Sequence, residues 1–347
     1  MTIVADRDIP YLQGVMEPFA RVVYLDGRSI APADVRGADG LVVRTRTRCD
    51  GALLTGSAVK VIATATIGYD HIDREWCRAH GIEVATSAGC NAHAVLQWLG
   101  AVLRELTLTG RIAGPGGTTV GVVGAGNVGS LVARYAALWG FKVLCCDPPR
   151  ERAATAGKPD GLWAPERFHT FDEVARAADL ITFHIPLTTS GPEATLRMAG
   201  PQFFAGLRPG AVVFNSSRGE VLDSAALLAA DCGCVIDTWD PEPAIDPALA
   251  AKALLATPHI AGYSIQGKAM GSAMAVRALA KRFGWLLTDW YPEQTGPQTV
   301  PADITWDEMC RRIPAYFDIA ALSAELKREP GSFEAMRNGY RYRQEFF

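Results

Sequence analysis

The segment Gly124-Ala125-Gly126-Asn127-Val128-Gly129 follows directly on the apolar run Val120–Val123. It opens a stretch whose apolar positions, Val128, Leu131, Val132, Tyr135 and Leu138, recur at helical spacing. Strand, glycine turn and helix in that order can cradle a phosphate. Gly124 permits the tight turn, Gly126 lets the backbone approach a pyrophosphate, and Gly129 lets helix pack on strand. The pyrophosphate then meets the free N–H groups of the helix N-terminus. Asp147 ends the next strand about 20 residues after the middle glycine, where a carboxylate accepts hydrogen bonds from an adenosine ribose and repels a ribose phosphate. These residues favour NAD over NADP, although Arg150 and Arg152 stand near enough in sequence to neutralise a phosphate. The bland alternative is a tight strand-to-helix turn with no ligand.

Three further residues supply what hydride exchange between a hydroxy acid and nicotinamide requires: a cation for the substrate carboxylate, a base for the hydroxyl proton, and a partner for that base. Arg218 stands in FNSSRGEVLD, Glu242 in IDTWDPEP and His259 in TPHIAGYS, each just beyond an apolar run. A guanidinium clamps a carboxylate through two hydrogen bonds. Strand ends of a parallel sheet share one rim, so these distant positions can converge. Each also has an ordinary reading: a loop-capping arginine, a surface acid between prolines, and a hydrogen-bonded loop histidine. His71, His80, His93, His169 and His184 read as structural. With no H-E-x-x-H or G-x-S-x-G element, zinc-protease and serine-hydrolase readings have no residues to rest on.

These groups need a scaffold, and the chain has the length for one. Its 347 residues, 49% hydrophobic and 20% charged, call for two or three globular domains rather than a disordered or coiled-coil chain. Lys+Arg of 34 against Asp+Glu of 37, with no block of like charge, argues against nucleic acid as partner. Asp6, Arg7 and Asp8 interrupt any secretory signal, and no apolar run reaches the roughly 18 residues of a membrane helix. The expectation is a cytoplasmic protein without membrane contact. Its eight cysteines lack zinc or thioredoxin spacing and read as reduced thiols.

Short β-rich runs alternate with helical patterns, the sequence form of parallel α/β sheets. Strands are expected at 2–5, 21–25, 40–43, 61–65 and 83–86, and again at 119–123, 142–146, 180–183, 211–215 and 234–237. A short apolar run precedes Thr257. Helical patterns cover 73–80, 91–109, 130–139, 224–230 and 266–287, and the last sixty residues differ in kind.

GAGNVG with Asp147, then HIPLT, NSSRG, DTWDPEP and TPHIAGYS in this order resemble the NAD-dependent D-2-hydroxyacid dehydrogenases. TATIGYDHID, AGCNAHAV, CDPPR, HIAGYSIQGKAMG and FEAMRNGYRYRQEF point to members acting on a small phosphorylated 2-hydroxy acid in pyridoxal 5'-phosphate biosynthesis. The resemblance implies a Rossmann-type doubly wound NAD-binding domain over 99–262. It implies a flavodoxin-like substrate domain over 1–98, completed by a returning helix at 263–288, and a small C-terminal α+β dimerisation domain over 289–347. The expected assembly is a homodimer.

Carried over by position, the resemblance makes Arg218, Glu242 and His259 catalytic. It puts Gly124, Gly126, Asn127, Val128, Gly129, Asp147, Ser216, Asp237 and Gly262 at cofactor contacts and Thr45, Thr66 and Tyr263 at substrate contacts. No metal is implied. DTWDPEP and HIPLT depart from the family at Asp240, Pro241 and Ile185, which removes no catalytic group. For a substrate phosphate, Arg44, Arg46 and Arg48 after the third strand are candidates beside the reading of a solvated strand edge. Arg337, Arg341 and Arg343, offered by a partner subunit, are a second possibility. Rival functions are oxidation of another D-2-hydroxy acid such as 3-phosphoglycerate and NAD sensing by a regulatory binding protein.

Overall fold

The computed structural model describes residues 1–296 and 303–347, so positions 297–302 of the expected C-terminal domain lie outside the described residues. Its strands are β1 (Thr2–Asp6), β2 (Arg21–Leu25), β3 (Gly40–Val43), β4 (Val61–Thr64), β5 (Glu83–Thr86), β6 (Thr119–Val123), β7 (Lys142–Cys146), β8 (Leu180–Phe183), β9 (Val212–Asn215), β10 (Gly233–Ile236) and β11 (Leu255–Ala256). The helices that matter below are α1 (Ala92–Leu108), α2 (Asn127–Leu138), α3 (Pro148–Thr155), α4 (Ile265–Phe283), α5 (Trp306–Arg312), α6 (Ile319–Arg328) and α7 (Phe333–Gly339). β3, β4, β8 and β9 are buried at every position. Continuous apolar runs of this kind belong to parallel strands covered on both faces.

The chain divides into two units. The first is Met1–Asn91 with the chain from Ser264. Its five parallel strands run β2-β1-β3-β4-β5, the flavodoxin-like order. α4 lays Ala275, Val276, Leu279 and Ala280 on Ile3, Ala5, Val42, Val61 and Ala63. Ser264 caps its start by accepting the Gly267 amide at 2.9 Å. The apolar pattern runs on to Leu287, but the helix stops at Phe283 because Gly284 turns left-handed at φ 74°. Trp285 N–H then closes on the Ala280 carbonyl at 2.9 Å.

The second unit holds Ala92–Tyr263 and the C-terminal residues to Phe347. Its six parallel strands run β11-β10-β9-β8-β6-β7. The chain winds from β6 outward to β7 and then returns to lay β8 on the other side of β6. That reversal opens a crevice at the strand ends, the usual ligand position of a doubly wound sheet. α1 and α2 cover the sheet with Trp98, Leu99, Val102, Leu103, Val132 and Tyr135.

The C-terminal segment corrects one expectation. Its described elements are helical rather than α+β, and Ile304, Met309, Ile313, Phe317, Ile319 and Phe347 join the core of α1, α2 and the sheet. These side chains have no core of their own. Each fully buried one stabilises this docking by about 1.5–3 kcal/mol. Trp139 Nε1–H donates to the Ile304 carbonyl at 3.0 Å, and Arg104 Nε–H to that of Cys310 at 2.9 Å. The eight cysteines are free thiols, and burial pushes Cys49, Cys145, Cys146 and Cys234 up to about 12, away from reactivity.

The helix stop yields a stability prediction. Gly284→Ala places a Cβ in a left-handed conformation and costs about 1–2 kcal/mol. A lower urea midpoint for the first unit is expected, and an unchanged midpoint counts against Gly284 as the required stop.

Candidate active site

β9, β10 and β11 end beside one another, and each hands the chain to a loop carrying one of the predicted groups. After β9, wholly buried Asn215 clips the turn together. Its Nδ2–H donates to the Arg218 carbonyl at 2.7 Å, while its Oδ1 accepts from Ser217 N–H at 3.1 Å and Ser217 Oγ–H at 2.8 Å. Arg218 is thereby presented in extended backbone. Asn215 was not among the expected site residues. An asparagine two positions before a serine at a strand end is the local signal for such a side-chain turn.

After β10, Asp237 is 1% exposed and accepts three hydrogen bonds from the next loop: Thr257 Oγ1–H at 2.6 Å, Ile260 N–H at 2.8 Å and Ala261 N–H at 3.0 Å. Burial pushes its carboxyl above the usual range, against the pull of His259 and of these donors. The three bonds bracket His259, whose φ of 57° is left-handed. Such a conformation costs a non-glycine residue about 1–3 kcal/mol and persists only where its surroundings hold it.

Held this way, the imidazole meets Glu242, with Nδ1 2.9 Å from Oε1 and 2.8 Å from Oε2. Glu242 also accepts Trp239 N–H at 3.0 Å and Arg337 Nη1–H at 3.2 Å. Burial works to raise its pKa, but His259, the Trp239 amide and Arg337 outweigh it and hold Glu242 below the usual carboxylate range. An ionised carboxylate only accepts, so Nδ1 carries a proton toward Glu242 and Nε2 is the ring nitrogen turned away from it.

On the crevice between β6 and β8, the glycine loop has room where a pyrophosphate would lie. A Cβ on Gly129 would overlap the Gly124 carbonyl, so helix and loop touch there, whereas a Cβ on Gly126 would meet nothing within 4 Å. No side chain caps α2 at Gly126. The first-turn amides of Asn127 and Val128 therefore face an open cradle. Asp147 caps α3, accepting Arg150 N–H at 2.9 Å and Ala125 N–H at 2.8 Å, and each oxygen keeps a second lone pair for a ribose hydroxyl. The nearby cations are taken. Arg150 forms a two-pronged pair with Asp160 at 2.7 and 2.8 Å, and Arg152 pairs with Glu193 at 2.5 Å. Ser216 Oγ after β9 and Thr238 Oγ1 after β10 are buried without a hydrogen-bond partner among the described residues. Open cradle, ribose acid and orphaned hydroxyls together fit a dinucleotide.

Residues 101–261 match the family model of the D-isomer specific 2-hydroxyacid dehydrogenase, NAD binding domain. Over 352 residues, 99% of this chain and 97% of the relative, the sequence is 40% identical to the erythronate-4-phosphate dehydrogenase of Bacteroides fragilis. It is 37% identical over 359 residues to that of Edwardsiella ictaluri, covering 100% of this chain and 93% of the relative. The chain belongs to the erythronate-4-phosphate dehydrogenase family. Among solved structures, the TT0316 protein of Thermus thermophilus matches with a TM-score of 0.66 at 28% identity, over 82% of this chain and 98% of that one. A D-lactate dehydrogenase from Aquifex aeolicus, complexed with NAD and lactic acid, shares the fold with a TM-score of 0.64 at 22% identity, over 86% and 100% of the chains.

In this member of the erythronate-4-phosphate dehydrogenase family, Gly262 and Tyr263 follow directly on the His259 loop. Tyr263 Oη accepts Arg337 Nε–H at 3.3 Å. Thr45 and Thr66 belong to the other unit, Thr45 exposed in the turn after β3 and Thr66 Oγ1 2.9 Å from Thr64 Oγ1. The arginine cluster after β3 is largely committed elsewhere. Arg44 holds wholly buried Asp6 through bonds of 2.7 and 3.1 Å and Asp8 at 2.8 Å, and Arg48 holds Asp50 at 2.6 Å, while Arg46 is exposed. The C-terminal trio separates too. Arg343 is buried under the His259 loop, Arg337 touches Glu242 of its own chain, and Arg341 is exposed. Arg343 is therefore corrected from a phosphate ligand to a structural clamp.

The open cradle separates binding from folding. Gly126→Val, whose side chain enters unoccupied space at φ −71°, is expected to lower stability by no more than about 1 kcal/mol. NADH binding, followed by fluorescence titration, is expected to weaken at least about tenfold because a pyrophosphate held on this loop would need that space. Retained affinity would place the pyrophosphate elsewhere.

Proposed function

We propose that the chain oxidises 4-phospho-D-erythronate to 3-hydroxy-2-oxo-4-phosphooxybutanoate with NAD, a step of pyridoxal 5'-phosphate biosynthesis. The observation that carries this reading is the His259–Glu242 dyad beside the Arg218 turn, at the ends of adjacent strands. It stands in a chain related end to end to such dehydrogenases.

Arg218 binds the substrate carboxylate at C1, fixing C2 and its hydroxyl toward His259. Nε2 of His259 takes the hydroxyl proton. As that O–H bond breaks, its electron pair forms the C2=O double bond, and the C2 hydrogen departs with its own electron pair. NAD, when bound, supplies the acceptor for that hydride. Glu242 stays ionised and offsets the positive charge that His259 acquires. Asp237 keeps the histidine loop in place. Thr45, Thr66 and Tyr263 are the proposed further substrate contacts. The working form is read as a cytoplasmic homodimer, which sedimentation velocity checks. No helix among the described residues is long and apolar enough to cross a membrane.

Two measurements test this reading. Following NADH absorbance, 4-phospho-D-erythronate is expected to be turned over in clear preference to D-3-phosphoglycerate, and the reverse order would overturn the substrate while leaving the family intact. His259→Asn is expected to lower kcat by about 10²–10⁴ through loss of the base, with NADH affinity retained. Unchanged turnover in that variant sinks the assignment of His259.

A further inference from the structure

Two arginines of the C-terminal segment reach the loops that carry Glu242 and His259. Arg343 is 4% exposed and donates to the carbonyls of Ala94 at 2.7 Å, Ile260 at 3.1 Å and Ala261, with Tyr340 Oη at 3.2 Å. It thus grips by their carbonyls the two residues whose amides Asp237 holds. Arg337, on α7, places Nη1 3.2 Å from Glu242 Oε2 and Nε 3.3 Å from Tyr263 Oη.

The bonds on Glu242 divide between its oxygens. His259 Nδ1 lies within reach of both, Trp239 N–H adds a second donor to Oε1, and Arg337 adds one to Oε2. Trp239 is itself fixed, since its Nε1–H donates to the Thr257 carbonyl at 2.9 Å. With a donor on each side, the carboxylate plane is pinned opposite the imidazole. With one side missing, the carboxylate can turn about its terminal bond and lose that alignment.

We propose that Arg337 is a positioning residue for the acid–base dyad: it fixes the Glu242 carboxylate against His259, so the C-terminal segment completes the catalytic apparatus of its own chain. This rests on the dehydrogenase reading above. The charged and titratable groups facing this point are Glu242, His259, Asp237, Tyr263 and Arg337 itself.

The test compares Arg337→Ala, Arg337→Gln and Arg337→Lys with the unaltered full-length protein. Arg337→Ala is expected to lower kcat by about tenfold or more, with NADH affinity unchanged. Losing a cation beside the dyad makes proton uptake easier, so the acidic limb of the kcat profile moves to higher pH. Arg337→Lys, which keeps the charge, is expected to return that limb and part of the rate. Arg337→Gln, close in size but neutral, is expected to follow alanine and takes its place if Arg337→Ala does not fold.

A readout independent of turnover is the downfield proton resonance of the His259 Nδ1–H···Glu242 bond in protein without cofactor. It is expected to move upfield and broaden in Arg337→Ala and Arg337→Gln. If a folded neutral variant keeps the resonance, the rate and the pH limb, the proposal is overturned. A lower rate with an unmoved limb and no recovery in Arg337→Lys likewise reduces Arg337 to packing. Should the unaltered protein oxidise no 2-hydroxy acid, the proposed function fails, while the resonance still reports whether Arg337 holds the dyad.

Discussion

The site depends on the hydrogen bonds that Asp237 accepts from Thr257, Ile260 and Ala261. They tie the end of β10 to the loop after β11 and hold His259 in a backbone conformation that its side chain disfavours. Three hydrogen bonds converging on one buried carboxyl group together offset a strain of a few kcal/mol, at roughly 1 kcal/mol each. Thr257 extends the tie, because its Oγ1 accepts Trp98 Nε1–H at 3.1 Å and its carbonyl accepts Trp239 Nε1–H. The His259 loop is thereby anchored to α1 and to the Glu242 loop at once.

Asp237 and Glu242 stand five positions apart in sequence and are driven in opposite directions. Asp237 is sealed among hydroxyl and amide donors, and desolvation dominates it. Glu242 faces an imidazole and a guanidinium, which overcome its burial. The first serves as a rigid knot and the second as an electrostatic partner. Environments that push like groups apart in this way mark a division of labour within an active site.

The strands were legible because short β-rich runs flanked by turn residues leave little choice, and all the expected strands appear within a residue of their predicted bounds. The glycine turn between β6 and α2, the carboxylate after β7 and the positions of Glu242 and His259 after their strands were legible because they depend on local order. α2 begins at Asn127, before its periodic core positions, because the loop itself supplies the first turn. What local order leaves open is decided by distant partners. Arg44 looked available until Asp6, 38 residues upstream, took its guanidinium. Arg343 looked like a surface cation until it met carbonyls 82, 83 and 249 residues away. Local pattern describes a side chain's capacity to bond, and the fold decides what uses it.

Arg150 carries a consequence for cofactor choice. Its guanidinium sits close to the ribose acid, where enzymes that accept a phosphorylated ribose often place a cation. Here Asp160, tethered ten residues away, already occupies it with both oxygens. A tethered competitor acts as if present at roughly millimolar concentration, so a ribose phosphate reaching Arg150 must displace a rival that never diffuses off. Selectivity at this position then needs no steric barrier. It works as an intramolecular antagonist, set by the length and stiffness of the segment between Arg150 and Asp160, and tunable by altering that segment without touching the nucleotide cradle.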